Sequence, residues 1–290
     1  MGKNGGKGVH HWKMTAAVAA ALLIFAPQGE SAEAGNEERR AAHLVNALDY
    51  TVPLAYTNAE GKVLLYRWMT PTMMHPAHPK VDPAGKYPLI VYLHGAGARG
   101  NDNASQVNAG VGDIIGYWRS IGGQAFLIAG QVPAGMQWVD TPWNGPAHVM
   151  PKKPSLMMGL LEELLEKTFA ELPIDRDRVY VTGLSMGGFG TWDIIQRHPD
   201  WFAAAMPLCG GGDTTLAWKI RDIPIWAAHG DVDTIVPPRR TRDMVAALWA
   251  IGGNIRYREY NGVGHNVWDP MYSDWNGALK WFFLQRRRHD

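Results

Sequence analysis

At 290 residues and 46% hydrophobic, the chain is long enough to bury a sizeable core, and one catalytic domain is the expected organisation. Its 28 Lys and Arg against 27 Asp and Glu leave a formal net charge of +1, which excludes the basic surface of a nucleic-acid binder and any broad attraction to an acidic membrane. The expected partner is a small or neutral molecule.

In chain order, Lys3, Lys7 and Lys13 form a basic leader, Met14 to Ala26 an apolar stretch, and Ala32-Glu33-Ala34 a small-x-small site. This pattern predicts a signal peptide over 1–34 and a mature domain over 35–290. The apolar stretch falls short of the roughly 20 residues a membrane span needs, so the expectation is export, to the periplasm or beyond, with no membrane attachment after cleavage. The single cysteine, Cys209, lies far from that site, which leaves no thiol there for a lipid and none for an internal disulfide.

Tyr50 to Tyr56 and Lys62 to Trp68, joined by Asn58-Ala59-Glu60-Gly61, read as a hairpin. Strands are expected over Leu89 to Leu93, Ala125 to Ala129, Arg178 to Thr182, Ala203 to Leu208, Ile225 to Ala228 and Ile255 to Tyr260. Helices are expected over Asn103 to Ile121, Ser155 to Glu171, Met186 to Arg197, Arg239 to Ile251 and Ser273 to Gln285. The alternation predicts an α/β fold: a mostly parallel sheet of about eight strands with helices on both faces. The terminal Arg286-Arg287-Arg288 run reads as a solvated helix end.

Gly183-Leu184-Ser185-Met186-Gly187 lies between an apolar strand and a helix. Small flanking residues let the serine take a strained turn with its hydroxyl exposed, as a nucleophile requires. With 33 glycines in the chain the pentad alone is a weak signal, so its surroundings decide. A serine nucleophile needs a base, and the base an acid to orient it. His265, in the glycine-bearing loop after the last strand, is the candidate base; His289 sits in the terminal tail. The loop His229 to Pro237 follows a strand and offers Asp231 and Asp233, which spacing does not separate. Asp193, Asp200, Asp213 and Asp222 read as surface or capping residues.

Taken together, His94-Gly95-Ala96-Gly97-Ala98-Arg99-Gly100-Asn101-Asp102, Gly183 to Gly188, His229 to Pro237 and Gly264-His265 resemble the α/β-hydrolase superfamily. Within it the chain is similar to exported phospholipase/carboxylesterase and dienelactone-hydrolase-like serine esterases, a group related to feruloyl esterases, polyhydroxybutyrate depolymerases and predicted peptidases. The resemblance runs from about Tyr50 to the C-terminus, with the four motifs in the expected order. It implies catalytic Ser185, Asp233 and His265, the aspartate being that of a His-Gly-x-x-Asp pattern with Asp231 as its neighbour. It also implies an oxyanion hole from the Ala96 and Met186 amides. The activity implied is hydrolysis of small-molecule or polymer-linked carboxylic esters through an acyl-enzyme, with a peptidase of the same fold and a non-catalytic binding module as alternatives. The short segment between Cys209 and Ile223 leaves no room for a large lid.

Neither a cofactor nor a metal is expected. Gly95-x-Gly97-x-x-Gly100 matches a dinucleotide fingerprint, but a polar loop follows it and no acid closes the next strand. His75-Pro76-Ala77-His78-Pro79 reads as a surface loop, its prolines opposing regular structure. Trp138 and Trp143, in the long stretch from Gln131 to Pro154, and Trp268, just beyond the base, are the candidate substrate-binding aromatics. His94 reads as a residue that fixes its loop, and Trp192 as packing.

Overall fold

The computed structural model describes residues 29–74 and 80–287; the basic leader, the apolar stretch and the His75–Pro79 segment lie outside the described residues. Helix α1 covers Gly29–His43, so Ala32 to Ala34 fall within its first turns. The strands are β1 (Val52–Thr57), β2 (Val63–Met69), β3 (Tyr87–Leu93), β4 (Phe126–Gln131), β5 (Ile174–Leu184), β6 (Ala204–Leu208), β7 (Ile225–Gly230) and β8 (Ile255–Tyr260). They form one eight-stranded sheet in the order β1-β2-β4-β3-β5-β6-β7-β8. The hairpin β1–β2 and the β2–β4 pair are antiparallel; from β4 to β8 every pairing is parallel.

The central strands are near-continuous apolar runs because both faces of the sheet are covered. Alternate residues feed separate cores, as the period-2 pleat requires. Leu89, Val91 and Leu93 join one, with Leu161, Phe189 and Leu248; Ile90 and Tyr92 join the other, with Ile114, Tyr272 and Phe282. The remaining helices are α2 (Pro71–Met74), α3 (Val111–Ser120), α4 (Leu156–Glu171), α5 (Met186–Arg197), α6 (Arg239–Ala250), α7 (Trp268–Ser273) and α8 (Lys280–Leu284). Ser155 caps α4 by accepting from Met158 N.

One expected helix is broken and another opens as a π-turn. The 103–121 segment starts as a loop, because Asn103 sits at φ 47° and the Asp102 carboxylate takes the Ala104 and Ser105 amides. After a short 3₁₀ turn over Ser105–Val107, Gly110 at φ 76° forces a fresh start for α3, and a Cβ there would lie 2.2 Å from the Tyr272 ring. The C-terminal segment divides at Asp274, whose non-helical backbone and carboxylate cap on Gly277 N separate α7 from a π-turn over Trp275–Leu279 and then α8. Beyond α8, Arg286 and Arg287 pair with Asp175 and Asp177 at the start of β5. Helix α1 is fastened to the body by Asn36, which bonds Ser273 O and Trp275 N, and by the Arg40–Asp113 ion pair at 2.5 Å.

Candidate active site

The turn from β5 into α5 puts Ser185 at φ 53°, ψ −119°, a region that L-residues rarely occupy. Its neighbours explain how the turn closes. A Cβ on Gly187 would lie 1.9 Å from Leu93 O, one on Gly183 2.5 Å from Gly187 O, and one on Gly188 2.2 Å from Leu208 O. Only glycine lets β3, β5 and β6 approach the start of α5 this closely, and Ser185 N donates to Leu208 O at 2.9 Å to hold the turn down.

Loops after β7 and β8 bring the other two side chains in. His265 Nε2 faces Ser185 Oγ at 2.8 Å, and His265 Nδ1 faces Asp233 Oδ2 at 2.6 Å. A carboxylate only accepts, so the Nδ1 position carries the hydrogen and Nε2 presents its lone pair to the hydroxyl. Asp233 is buried, which alone would push its carboxyl up. Hydrogen bonds from His229, His265, Val236 N and Ile235 N outweigh that and hold it well below the usual carboxylate range. Asp231 turns away and accepts from Gly262 N at 2.7 Å.

The loop after β3 forms the facing wall. Ala96 opens a 3₁₀ turn over Ala96–Ala98 and Met186 opens α5, so each amide is the first of its turn and has no acceptor within it. His94 is buried, its Nδ1–H donating to Gly95 O at 2.7 Å and its Nε2 accepting from Val132 N at 2.9 Å. Burial brings its pKa down to about 4, so the ring stays neutral as a strut. Gln131 spans the loop by donating to Ala98 O and Asp102 Oδ1.

Between these walls lies a cleft of about 440 Å³, apolar for the most part, lined by Gly95 to Ala98, Leu184, Ser185, Ile235, His265 and Trp268 among others. The Trp268 ring meets His265 edge-on at 5.5 Å. Trp143 is half-buried and stands apart from the cleft, beside the Arg99 guanidinium at 5.9 Å. Trp138, expected to bind substrate, is instead fully buried. It fills space that Gly130 and Gly190 leave open, and its Nε1–H donates to His94 O at 3.2 Å. It supports the wall from behind and cannot touch a ligand.

Gln106 escaped the sequence reading. Asn103 Nδ2 donates to Leu54 O, so Asn103 Oδ1 accepts from Gln106 Nε2 at 2.6 Å, and the Gln106 carbonyl oxygen is left without a partner in the cleft wall. Nothing in its spacing marked it. His229 reads in the sequence only as the first residue of the loop motif that follows a strand, yet it lies against Asp233.

The mostly parallel eight-stranded sheet, with a strained serine at the β5–α5 turn, makes this an α/β-hydrolase fold. Residues 79–280 match the family model described as Phospholipase/Carboxylesterase, and the chain belongs to that family. It is similar to poly(3-hydroxyalkanoate) depolymerase C of Paucimonas lemoignei, at 43% identity over 118 residues, covering 41% of this chain and 24% of that protein. An uncharacterized secreted protein of Arthroderma benhamiae is 26% identical over 241 residues, 71% of this chain and 24% of that one. Among solved structures, a thermostable esterase superposes with a TM-score of 0.70 at 35% identity, covering 83% of this chain and 64% of the other. The chain thus spans about a quarter of these two curated relatives. No helix among the described residues is long and apolar enough to cross a membrane.

Proposed function

We propose that the protein is an exported serine carboxylesterase working through an acyl-enzyme, with Ser185, His265 and Asp233 as its triad. The observation that carries this reading is the unbroken line from Ser185 Oγ through both His265 nitrogens to Asp233, with spans of 2.8 and 2.6 Å. As Ser185 Oγ attacks the ester carbonyl, its proton passes to His265 Nε2, and Asp233 balances the charge that develops on the ring. The Ala96 and Met186 amides receive the oxyanion. His265 hands the proton to the departing alcohol and then takes one from water, which repeats the attack; as the acyl–Oγ bond breaks and the acid is freed, that proton passes back to Ser185 Oγ. The apolar cleft and Trp268 suit a bulky acyl or alcohol group.

Similarity to the depolymerase favours polymer-linked esters as a second reading of the same chemistry. So does the β6–β7 connection, which holds only a 3₁₀ turn over Thr214–Ile220 and leaves the site open to a large substrate. The test is a panel of esters varying acyl length and aromaticity, run beside an insoluble polyester and matched peptide anilides. Wild type is expected to cleave esters and to be labelled at Ser185 by a fluorophosphonate, and Ser185→Ala to lose about 10⁴-fold or more in kcat. A Ser185→Ala protein with wild-type turnover would refute the proposal.

A further inference from the structure

We propose that His229 is a positioning residue for Asp233, and that it acts on the reaction through that carboxylate without touching substrate; this rests on the triad reading above. The imidazole is fully buried and is not among the residues lining the cleft. Its Nε2 lies 3.0 Å from Asp233 Oδ2 and 2.9 Å from Val236 O. A backbone carbonyl cannot donate, so Nε2 carries the hydrogen and donates toward both oxygens. On the other side of the ring, the Nδ1 lone pair lies 2.7 Å from Thr241 Oγ1, whose one hydrogen is shared between that nitrogen and Gly210 O, also at 2.7 Å.

The consequence lies in which oxygen is engaged. Oδ2 of Asp233 is the atom that faces His265, and it receives the two imidazole hydrogens side by side, at 3.0 and 2.6 Å. Oδ1 is occupied by the Ile235 and Val236 amides. With four donors the carboxylate has no rotation left to it, so the direction from which it grips His265 is set by His229 as much as by its own backbone. The support also returns to the nucleophile. A Cβ on Gly210 would lie 2.5 Å from Gly188 C, which shows how tightly this strand end packs on the first turn of α5. The line Gly210, Thr241, His229, Asp233, His265, Ser185 therefore leaves the serine turn's own packing partner and comes back to the serine.

Without the His229 N–H, Oδ2 keeps one donor, and the Asp233 charge falls more fully on His265. Two effects follow: looser aim, which lowers kcat, and stronger stabilisation of the protonated base, which moves the acid limb of kcat/KM to higher pH. Ionisable groups facing this pair include Asp231 in the same loop, Glu259 on β8, which feels His229, and the buried Cys209 just after β6, which feels Asp233.

The experiment measures His229→Leu, His229→Gln and Thr241→Val in the full chain, with active sites counted by fluorophosphonate labelling and folding checked by thermal melting. His229→Leu is expected to lose about 10- to 100-fold in kcat per titrated site at little-changed KM, with the acid limb raised. His229→Gln, which restores an N–H, should recover part of both. Thr241→Val, which keeps the imidazole but removes its far anchor, should show a smaller loss in the same direction, and it carries the test if His229→Leu does not fold. Folded variants with a lower melting temperature but unchanged kcat per site and unchanged acid limb would make His229 a core residue and overturn the proposal. A wild-type protein unlabelled at Ser185 would instead overturn the triad reading, and this one with it.

Discussion

The indole N–H of Trp138 is bonded to the main-chain carbonyl of His94 at 3.2 Å, and the two rings meet edge-on at 5.6 Å. An aromatic residue placed by sequence in the substrate's path thus braces the loop that carries Ala96. Trp138→Phe keeps most of the packing but strands a buried acceptor, at a cost of about 1–2 kcal/mol. Denaturant unfolding should register that loss while KM stays near wild type. Trp268→Ala should raise KM several-fold for bulky esters, and because the ring is half-buried against the second core it should lower stability as well, so the change in KM is what separates the two variants.

Gly187→Ala tests the turn itself. The new Cβ would lie 1.9 Å from Leu93 O and 2.9 Å from His94 O, and because both are main-chain atoms no side-chain movement relieves the clash. The expected cost is about 4 kcal/mol or more, seen as loss of soluble protein or of the cooperative unfolding transition. Gly97→Ala, where nothing lies within 4 Å of the added atom, is the matched control and should fold normally.

The pH dependence of stability follows from His94. Burial is the main reason its pKa falls from 6.5 to about 4, with Arg99 adding to the fall and the Gly95 carbonyl opposing it. Between those two values the unfolded chain binds a proton that the folded chain does not. The contribution is therefore complete above pH 6.5 and is lost as pH falls toward 4, amounting to about 3 kcal/mol across the window. Urea titrations at pH 7, 6 and 5 should show this decline. His94→Gln should start less stable and fall less steeply.

Where the sequence was readable, a strong local pattern coincided with the tertiary demand. The strands β3, β4, β6 and β7, and β5 from Val179 onward, are apolar runs because both faces are covered, and the Gly-x-Ser-x-Gly spacing reports a crowded backbone that admits no other residue. Ser185 and His265 were marked by element order, whereas Asp233 and Asp231 were separated only by family likeness. The structure supplies the physical difference: Asp231 bonds Gly262 N, while Asp233 faces both histidines. Legibility failed where a residue's role depends on chain far away. Gly110 breaks a helix because Tyr272 occupies the space beside it, and Trp138 turns inward because Gly130 and Gly190 vacate a hole for it. Gln131 and Gln106 belong to side-chain networks closed by distant backbone carbonyls, Ala98 O and Leu54 O, which no local pattern encodes.

The sheet has two open rims, β1 and β8. On β1, Pro53 offers no N–H, and Leu54 O is already taken by Asn103 Nδ2 at 2.9 Å. On β8, Arg256 and Glu259 stand exposed, and Arg242 from α6 reaches across to Glu259 at 2.7 Å. One rim is short of donors and the other is fenced with charge. Both features oppose the pairing of two sheets rim to rim, which would otherwise carry the ladder from one copy into the next.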